Sequence, residues 1–211
     1  LNYPVKEGVT YLLGCCYAPL RSEFRDVPEK EIREDVRDIL ITFGGEDPRG
    51  LTPAVVRFLN EARPGLRKKV VIGGGFKDIK AVEKLCGGNT ELVYNPSARE
   101  MKEAMLSCDA AVSAGGQTLY EAARVGMPTV AVAVAENQMD NIEGWQRAGF
   151  IRYAGWWEDK GLLDNMAACL DSLKDRGERL EISMTGRSAV DGKGAARAVS
   201  AVMDILKGIK R

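Results

Sequence analysis

The sequence alternates short apolar, β-branched runs with longer stretches of helical periodicity. This alternation is typical of βαβ units around a parallel sheet. Strands are predicted at residues 38–43, 69–72, 91–94, 110–113, 129–134 and 151–153. Helices are predicted at residues 53–60, 79–85, 98–107, 117–125, 138–148 and 161–174. The pattern therefore predicts an α/β fold, a doubly wound, Rossmann-like parallel sheet of about six strands.

Turn and capping residues refine the predicted boundaries. Pro53 after Thr52 indicates a first-turn proline behind an N-cap, and Gly126 and Gly149 indicate the ends of two helices. From Gly161 onward the sequence predicts no strand and keeps helical periodicity, ending in "GAARAVSAVMDILKGI". This last part should form a helical tail packed on the sheet.

The first 37 residues differ from the rest of the chain. "VTYLLGCCYAPL" favours a short strand and turn, and "RSEFRDVPEKEIREDVRD" is dense in charge. We interpret residues 1–37 as a connector from a missing N-terminal domain. Residues 38–211 would then be one Rossmann-like domain with the helical C-terminal tail.

Composition and charge exclude several classes of function. Thirty Lys and Arg balance thirty Asp and Glu, so no net field favours nucleic acid as a partner. The five cysteines lack CxxC spacing, which argues against a zinc site and for reduced thiols in the cytoplasm. No apolar run approaches the roughly 20 residues of a membrane span. The chain contains no histidine, the commonest general base.

Three predicted strands end in glycine-rich loops, at residues 43–50, 72–78 and 113–118. In an open parallel sheet, ligands bind beyond the carboxyl ends of the strands. The turn "GGQT" opens directly into a helix, where free N–H groups and the helix dipole suit a diphosphate. Tight turn geometry alone is the alternative explanation for each loop, and it is favoured for the three glycines at 73–75.

Two further features bear on ligand binding. Glu121 lies one helical turn after Thr118, where a carboxylate can accept hydrogen bonds from ribose hydroxyls or merely complement the helix dipole. "AENQMDN" at residues 135–141 crowds amide and acid side chains at a helix start. Capping by Asn137 explains one of these side chains, and a polar ligand such as a sugar explains the others.

These motifs carry a resemblance. "SAGGQTLYEAARVGMPTVAVAVAENQMDN" resembles the sugar-nucleotide site in the C-terminal domain of GT-B enzymes of the glycosyltransferase family 28 type. "YAPLRSEF", "ILITFGGEDPRGLT" and "VDGKGAARAV" are similar to motifs of the UDP-sugar hydrolase of pseudaminic acid biosynthesis and its spore-coat polysaccharide relatives. The resemblance extends from about Gly14 to Val199.

The resemblance implies a role for each matching residue in binding a UDP-sugar. The diphosphate would lie against the glycine turn, the ribose at Glu121 and the uracil at the backbone of the helix start that follows the third strand. The sugar and phosphate would also face the first glycine loop. The implied ligand residues are Gly44, Gly45, Ser97, Ala98, Gly115, Gly116, Gln117, Thr118, Glu121, Asn137, Gln138 and Asp140.

The resemblance also implies what this chain lacks. GT-B enzymes have two facing domains, and the hydrolases use a histidine near the start of the first one. We therefore expect the UDP-sugar-binding half of a hydrolase, with no cofactor or metal and with its catalytic base outside these 211 residues. A glycosyltransferase with the same donor site, and a non-catalytic module that partners a separate subunit, are the alternatives.

Overall fold

Six parallel strands form one sheet in the computed structural model, which describes residue 4 and residues 6–209. The strand order is β3-β2-β1-β4-β5-β6, so the direction of winding reverses between β1 and β4. The strands are β1 (Asp38–Thr42), β2 (Arg67–Ile72), β3 (Thr90–Tyr94), β4 (Ala110–Ala114), β5 (Thr129–Ala133) and β6 (Ile151–Trp156). The doubly wound parallel sheet predicted from the sequence is confirmed.

Helices follow the strands and continue to the end of the described chain. They are α1 (Leu51–Ala62), α2 (Ile79–Glu83), α3 (Ala98–Ser107), α4 (Thr118–Val125), α5 (Met139–Ala148), α6 (Leu162–Ser172), α7 (Arg176–Ala189) and α8 (Gly194–Ile209). Short 3-10 turns lie at Cys15–Tyr17, Ser22–Phe24 and Glu136–Gln138. Gly126 and Gly149 end α4 and α5 in the left-handed conformation, as the sequence predicts.

Burial explains why the central strands are apolar on both faces. Every residue of β4 and β5 is buried, and so are four of the five residues of β1. Helices cover both faces of a doubly wound sheet, so its central strands have no solvated side. β3 lies at the edge, contains no fully buried residue and includes the exposed Tyr94.

The start of α1 differs from the sequence prediction. Thr52 is not its N-cap, because the helix already begins at Leu51 behind a left-handed Gly50. The carboxylate of the buried Asp47 caps it instead, accepting hydrogen bonds from the amides of Leu51 at 3.0 Å and Thr52 at 2.7 Å. The predicted strand within residues 9–20 is also wrong, since those residues form no strand and contain a 3-10 turn.

Residues 14–37, the N-terminal segment, lie across α3, α4, α7 and α8. Phe24 is fully buried, and Val27 and Ile32 also contribute to the core. Cationic helix side chains donate hydrogen bonds to the segment's carbonyls: Arg197 to Cys16, Lys102 to Glu23, Arg124 to Phe24 and Arg25, Arg187 to Pro28, Arg176 to Ile32, and Arg179 to Arg33 and Glu34. Irregular backbone is thus held in place without a sheet partner.

Lys30 of the N-terminal segment closes the carboxyl end of α3. Its buried ammonium donates to the carbonyls of Met105 at 3.0 Å, Leu106 at 3.0 Å and Cys108 at 2.5 Å. Burial lowers the pKa of Lys30 to about 8. The last carbonyls of a helix have no partner within it, so this lysine supplies what α3 lacks.

The described part of the chain shows neither a membrane-spanning helix nor a cluster of metal ligands. None of the described helices is both long and apolar enough to cross a membrane. Residues 6–209 contain no group of three or more His, Cys, Asp or Glu side chains positioned to hold a metal ion.

Candidate functional site

A crevice lies at the carboxyl edge of the sheet where the winding reverses between β1 and β4. Its volume is about 340 Å³, and its lining includes Gly44, Gly45, Thr118 and Glu121. A topological switch point is the usual ligand position in an open α/β sheet. Four of the twelve residues predicted for the site therefore meet in one cavity.

Two glycine loops form one wall of this crevice and contact each other through their backbones. A Cβ atom on Gly73 would lie 2.4 Å from the carbonyl oxygen of Gly45, which only a glycine avoids. The amide of Gly75 donates to the same oxygen at 2.9 Å. This close approach supports the structural interpretation of residues 73–75, and it leaves Gly44, with φ +84°, facing the cavity.

Gly115 and Gly116 have different surroundings. The amide of Gly115 donates to Val132 at 3.1 Å and to Gln138 Oε1 at 3.2 Å, and its carbonyl accepts a 2.6 Å bond from Asn141. A Cβ on Gly115 would lie 2.4 Å from the Ile142 side chain. Gly115 is therefore fixed against α5, and close packing explains its glycine.

Gly116 is open. A Cβ there would meet nothing nearer than 3.8 Å, the distance to Gln138 Nε2. α4 begins immediately afterwards, and its N-cap residue Gln117 forms no capping hydrogen bond. The Gln117 amide turns away and donates to the Pro19 carbonyl at 2.9 Å. The first turn of α4, starting at Thr118, thus keeps its N–H groups free of any side-chain cap, which is what an anion requires.

Glu121 is buried on the wall of the crevice and is held by Arg21. Arg21 Nε lies 2.7 Å from Oε1 and Arg21 Nη2 lies 2.9 Å from Oε2, a bidentate pair. The Glu121 side chain is 7% exposed and that of Arg21 is 43% exposed. A ribose that hydrogen-bonds to Glu121 must therefore share or displace the guanidinium.

Sequence reasoning missed Arg21 as a member of the site. It lies in "YAPLRSEF", a motif that we used for the resemblance only, and 100 residues separate it from Glu121. The available signal was the position of this arginine within one of the motifs that carry the resemblance.

Ser97 and Ala98 follow β3 at the same edge, beside the Asn95 and Pro96 that line the crevice. Ser97 forms a capping box: its Oγ accepts from the Glu100 amide at 3.3 Å, and its own amide donates to Glu100 Oε2 at 2.8 Å. The hydrogen bond from its backbone lowers the pKa of Glu100. The Ser97 amide that we assigned to uracil is thus occupied by Glu100.

Asn137 and Asp140 are exposed and do not line the crevice with Glu121. They line a second cavity of about 540 Å³, together with Tyr120 and Trp145. Gln138 lies between the two regions, where its Oε1 accepts from the amides of Gly115 and Val134, the latter at 3.1 Å. Gln138 therefore binds the backbone of the glycine turn, whereas its polar neighbours Asn137 and Asp140 lie outside the crevice.

Comparison with known proteins gives relatives of greater length. No protein-family model matches the sequence. It is 28% identical over 211 residues to the spore coat polysaccharide biosynthesis protein SpsG of Bacillus subtilis, covering 97% of this chain and 59% of SpsG. It is 27% identical over 142 residues to the Helicobacter pylori pseudaminic acid cytidylyltransferase and UDP-2,4-diacetamido-2,4,6-trideoxy-beta-L-altropyranose hydrolase, covering 67% of this chain and 25% of that protein.

Solved structures share the fold at lower identity. MurG of Acinetobacter baumannii superposes with a TM-score of 0.64 at 17% identity, over 96% of this chain and 57% of MurG. The chain therefore has a GT-B-like fold. WaaG, a glycosyltransferase involved in lipopolysaccharide biosynthesis, gives a TM-score of 0.58 at 19% identity, over 84% of this chain and 48% of WaaG. The chain thus spans between a quarter and about three fifths of the length of these four proteins.

Proposed function

We propose that this chain is the UDP-sugar-binding half of a sugar-nucleotide hydrolase that acts in polysaccharide or nonulosonate biosynthesis. The observation that carries the proposal is the uncapped start of α4 at the switch-point crevice, with Glu121 buried one turn further on. An anion-binding helix start beside a buried carboxylate is complementary to a diphosphate joined to a ribose.

Each part of the crevice has a role in this proposal. The free N–H groups at Gly116, Gln117 and Thr118 would bind the diphosphate, whose charge the α4 dipole stabilises. Glu121 would accept hydrogen bonds from the ribose hydroxyls, with Arg21 released or shared. Gly44 and Gly45 would face the phosphate and sugar across the crevice.

The known roles of the relatives support this choice of ligand and reaction. SpsG belongs to spore coat polysaccharide biosynthesis, and the H. pylori protein is in part a UDP-sugar hydrolase. A Staphylococcus aureus MnaA structure, determined with UDP, shares the fold with a TM-score of 0.62 at 18% identity over 84% of this chain and 48% of MnaA. A bond between sugar and diphosphate would be cleaved by water, and the glycine turn would stabilise the leaving UDP.

We further propose that a second domain or a separate subunit completes the active site in the cytoplasm. The chain has no histidine, so its own candidates for a general base are carboxylates. Asp47 is already used to cap α1, and Asp140 is exposed outside the crevice. α8 also presents an apolar face that nothing in the described chain covers, formed by Val199, Val202, Met203 and Leu206.

A glycosyltransferase is the second candidate, because the same fold occurs in WaaG, a glycosyltransferase. The donor site would be identical and the acceptor would come from the other half. Product analysis separates the two reactions, since hydrolysis releases free sugar and transfer yields a glycosylated acceptor.

The proposal is tested by calorimetry with UDP, followed by turnover assays with a panel of UDP-amino sugars. We expect the chain to bind UDP. We expect it to release UDP from a UDP-sugar only when the second domain or the partner subunit is also present in the assay. Absence of UDP binding would overturn the proposal. Robust release by the 211 residues alone would overturn the assignment of the base to another domain.

A further inference from the structure

Lys68 has an almost fully buried side chain and no counterion among the described residues. It lies in β2 and is only 3% exposed. Within the described chain its ammonium group forms no hydrogen bond and no ion pair, and only burial perturbs it, lowering its pKa. An unpaired ammonium group at the end of a largely buried side chain has lost part of its hydration, so an anionic partner would stabilise it.

The charges around Lys68 are already paired among themselves. The neighbouring ion pairs are Arg33 with Asp38 at 2.7 Å, Arg67 with Asp38 at 2.6 Å, and Lys69 with Glu91 at 3.3 Å. Asp38 therefore serves two guanidinium groups, and no carboxylate is left for the lysine. The local excess of positive charge points to an anion from outside the chain.

Lys68 lines two adjoining cavities at the amino edge of the sheet, the edge opposite the nucleotide crevice. Their volumes are about 370 and 340 Å³, and both are also lined by Gly88, Asn89 and Thr90. Gly88 has open space where a Cβ would stand, and it forms no hydrogen bond in the described chain. Its backbone N–H is therefore available to a ligand beside the ammonium.

We propose that the larger of these two cavities, which Arg67 also lines, binds a phosphate group, free or as a soluble monoester, with Lys68 as its counterion. Arg67 uses Nε and Nη2 for Asp38, which leaves Nη1 for a further oxygen. A tetrahedral oxyanion accepts hydrogen bonds from several directions at once, which suits an ammonium, a guanidinium and a glycine amide. By volume the larger cavity has room for about ten waters, which is enough for a small ester as well as the free ion.

The test compares wild type with Lys68→Met and with Lys69→Met, a control lysine on the same strand that has Glu91 as its partner. In phosphate-free buffer Lys68→Met should be at least as stable as wild type, since it removes an unpaired buried charge. Inorganic phosphate should then raise the melting temperature of wild type and Lys69→Met much more than that of Lys68→Met. The phosphate Kd should weaken about ten- to a hundredfold in Lys68→Met, the usual effect of losing a charged partner.

Two outcomes would overturn the proposal. One is the absence of any phosphate effect on wild type. The other is an equal effect on wild type and Lys68→Met, which would place the phosphate elsewhere, the glycine turn before α4 being the obvious position. UDP affinity should be unchanged in Lys68→Met, so a failure of this proposal and a failure of UDP binding are distinguishable.

A spectroscopic readout and a second probe complete the experiment. In NMR spectra of isotope-labelled lysine side chains, phosphate should raise the pKa of Lys68 and leave that of Lys69 in place. Glycerol 3-phosphate in place of inorganic phosphate determines whether the site accepts a monoester. A Lys68 signal that does not respond to either probe would show that the lysine is only an unpaired side chain.

Discussion

α3 and α4 start at the same edge of the sheet, yet their first turns differ. Ser97 and Glu100 close the start of α3 with reciprocal hydrogen bonds of 3.3 and 2.8 Å. α4 has no side-chain cap, because Gln117 donates to Pro19 instead. The first four N–H groups of a helix need partners from outside it, and at α3 a side chain supplies one of them. At α4 the N–H groups of Leu119 and Tyr120 donate to the carbonyls of Gly116 and Gln117, and the N–H of Thr118 has no partner in the described chain.

Under the proposed function, this difference indicates which part of the nucleotide would lie at each helix start. A phosphate would be the natural partner for the free N–H groups at Gly116, Gln117 and Thr118, since it would also benefit from the helix dipole. At α3, a uracil must compete with the Glu100 carboxylate for the Ser97 amide. α1 and α2 resemble α3, because Asp47 and Asp78 cap them. Among the helices that follow β1 to β4, α4 is the open one.

The largest effect on stability is expected at the carboxyl end of α3, where Lys30 binds the last carbonyls. Lys30→Met removes three hydrogen bonds to the carbonyls of Met105, Leu106 and Cys108 and should cost about 3 kcal/mol of unfolding free energy. Denaturant unfolding measures this cost. Lys102→Met is the matched control, because it donates to exposed carbonyls of the N-terminal segment and should cost less than about 1 kcal/mol.

The lowered pKa of Lys30 also predicts that the free energy of unfolding depends on pH. Its pKa in the folded chain, about 8, lies below the ordinary 10.5, so the unfolded chain binds the proton more tightly between these values. The stability of wild type relative to Lys30→Met should therefore rise as the pH increases through this range. A difference that stays constant there would show that the folded-state pKa of Lys30 is not lowered.

The glycine turn before α4 gives the next largest effect. Gly115→Ala forces a methyl group against Ile142 and should destabilise the fold by about 1–3 kcal/mol through overpacking. Gly116→Ala meets no close contact, so its stability should stay within about 0.5 kcal/mol of wild type while UDP affinity falls. Equal losses of stability in the two variants would mean that Gly116 is a packing residue too.

Glu121→Ala tests the carboxylate behind the open helix start. We expect UDP binding to weaken by about 1–3 kcal/mol, the range for losing a charged hydrogen-bond partner. Calorimetry with UDP and 2′-deoxy-UDP assigns the loss to the ribose, because the deoxy nucleotide should be less sensitive to the mutation. Equal affinity of wild type for both nucleotides, with unchanged binding by the variant, would leave Glu121 as a partner of Arg21 only.

The smallest effect is expected at the start of α3. Ser97→Ala should cost about 1 kcal/mol, as other lost N-caps do. The hydrogen bond from the Ser97 amide lowers the pKa of Glu100 below the ordinary 4.5. The stability that this bond contributes is therefore present above pH 4.5 and is lost as the pH falls through the lowered pKa. Glu100→Ala should lack this acid-dependent loss, as unfolding curves measured across that pH range would show.

Glu100→Ala also frees the Ser97 amide and so sharpens the contrast with α4. If uracil pairs with that amide, the variant should bind UDP at least as tightly as wild type. Weaker binding would show that the intact capping box, and not its amide, supports the nucleotide.

Local patterns predicted the fold well because hydrophobic periodicity and turn glycines depend on residues that are neighbours in the sequence. Five of the six predicted strands lie within two residues of the observed ends, and the sixth, β6, extends three residues further. The order of glycine loops also placed Gly44 and Gly115 at one edge, since parallel strands end together. What the sequence did not reveal depends on long-range contacts: the pairing of Arg21 with Glu121, and the separation of Asn137 from the crevice.

The Asp47 cap illustrates a subtler limit. Proline in a first turn and threonine before it fit a common helix start, yet the carboxylate four residues upstream of Leu51 takes that place. Such a cap depends on Asp47 adopting a positive φ of 43°, which aspartate tolerates better than most residues. Sequence spacing alone does not distinguish these two starts.

The anchoring of the N-terminal segment has a consequence for the order of folding. Its carbonyls are held by side chains from α3, α4, α7 and α8, and one pair, Cys16 and Arg197, is 181 residues apart. Closing such long loops costs entropy before any contact compensates for it, so residues 14–37 should dock after the sheet and its helices have assembled. Because Arg21 arrives with this segment, the wall of the crevice at Glu121 is completed only in the last stage of folding.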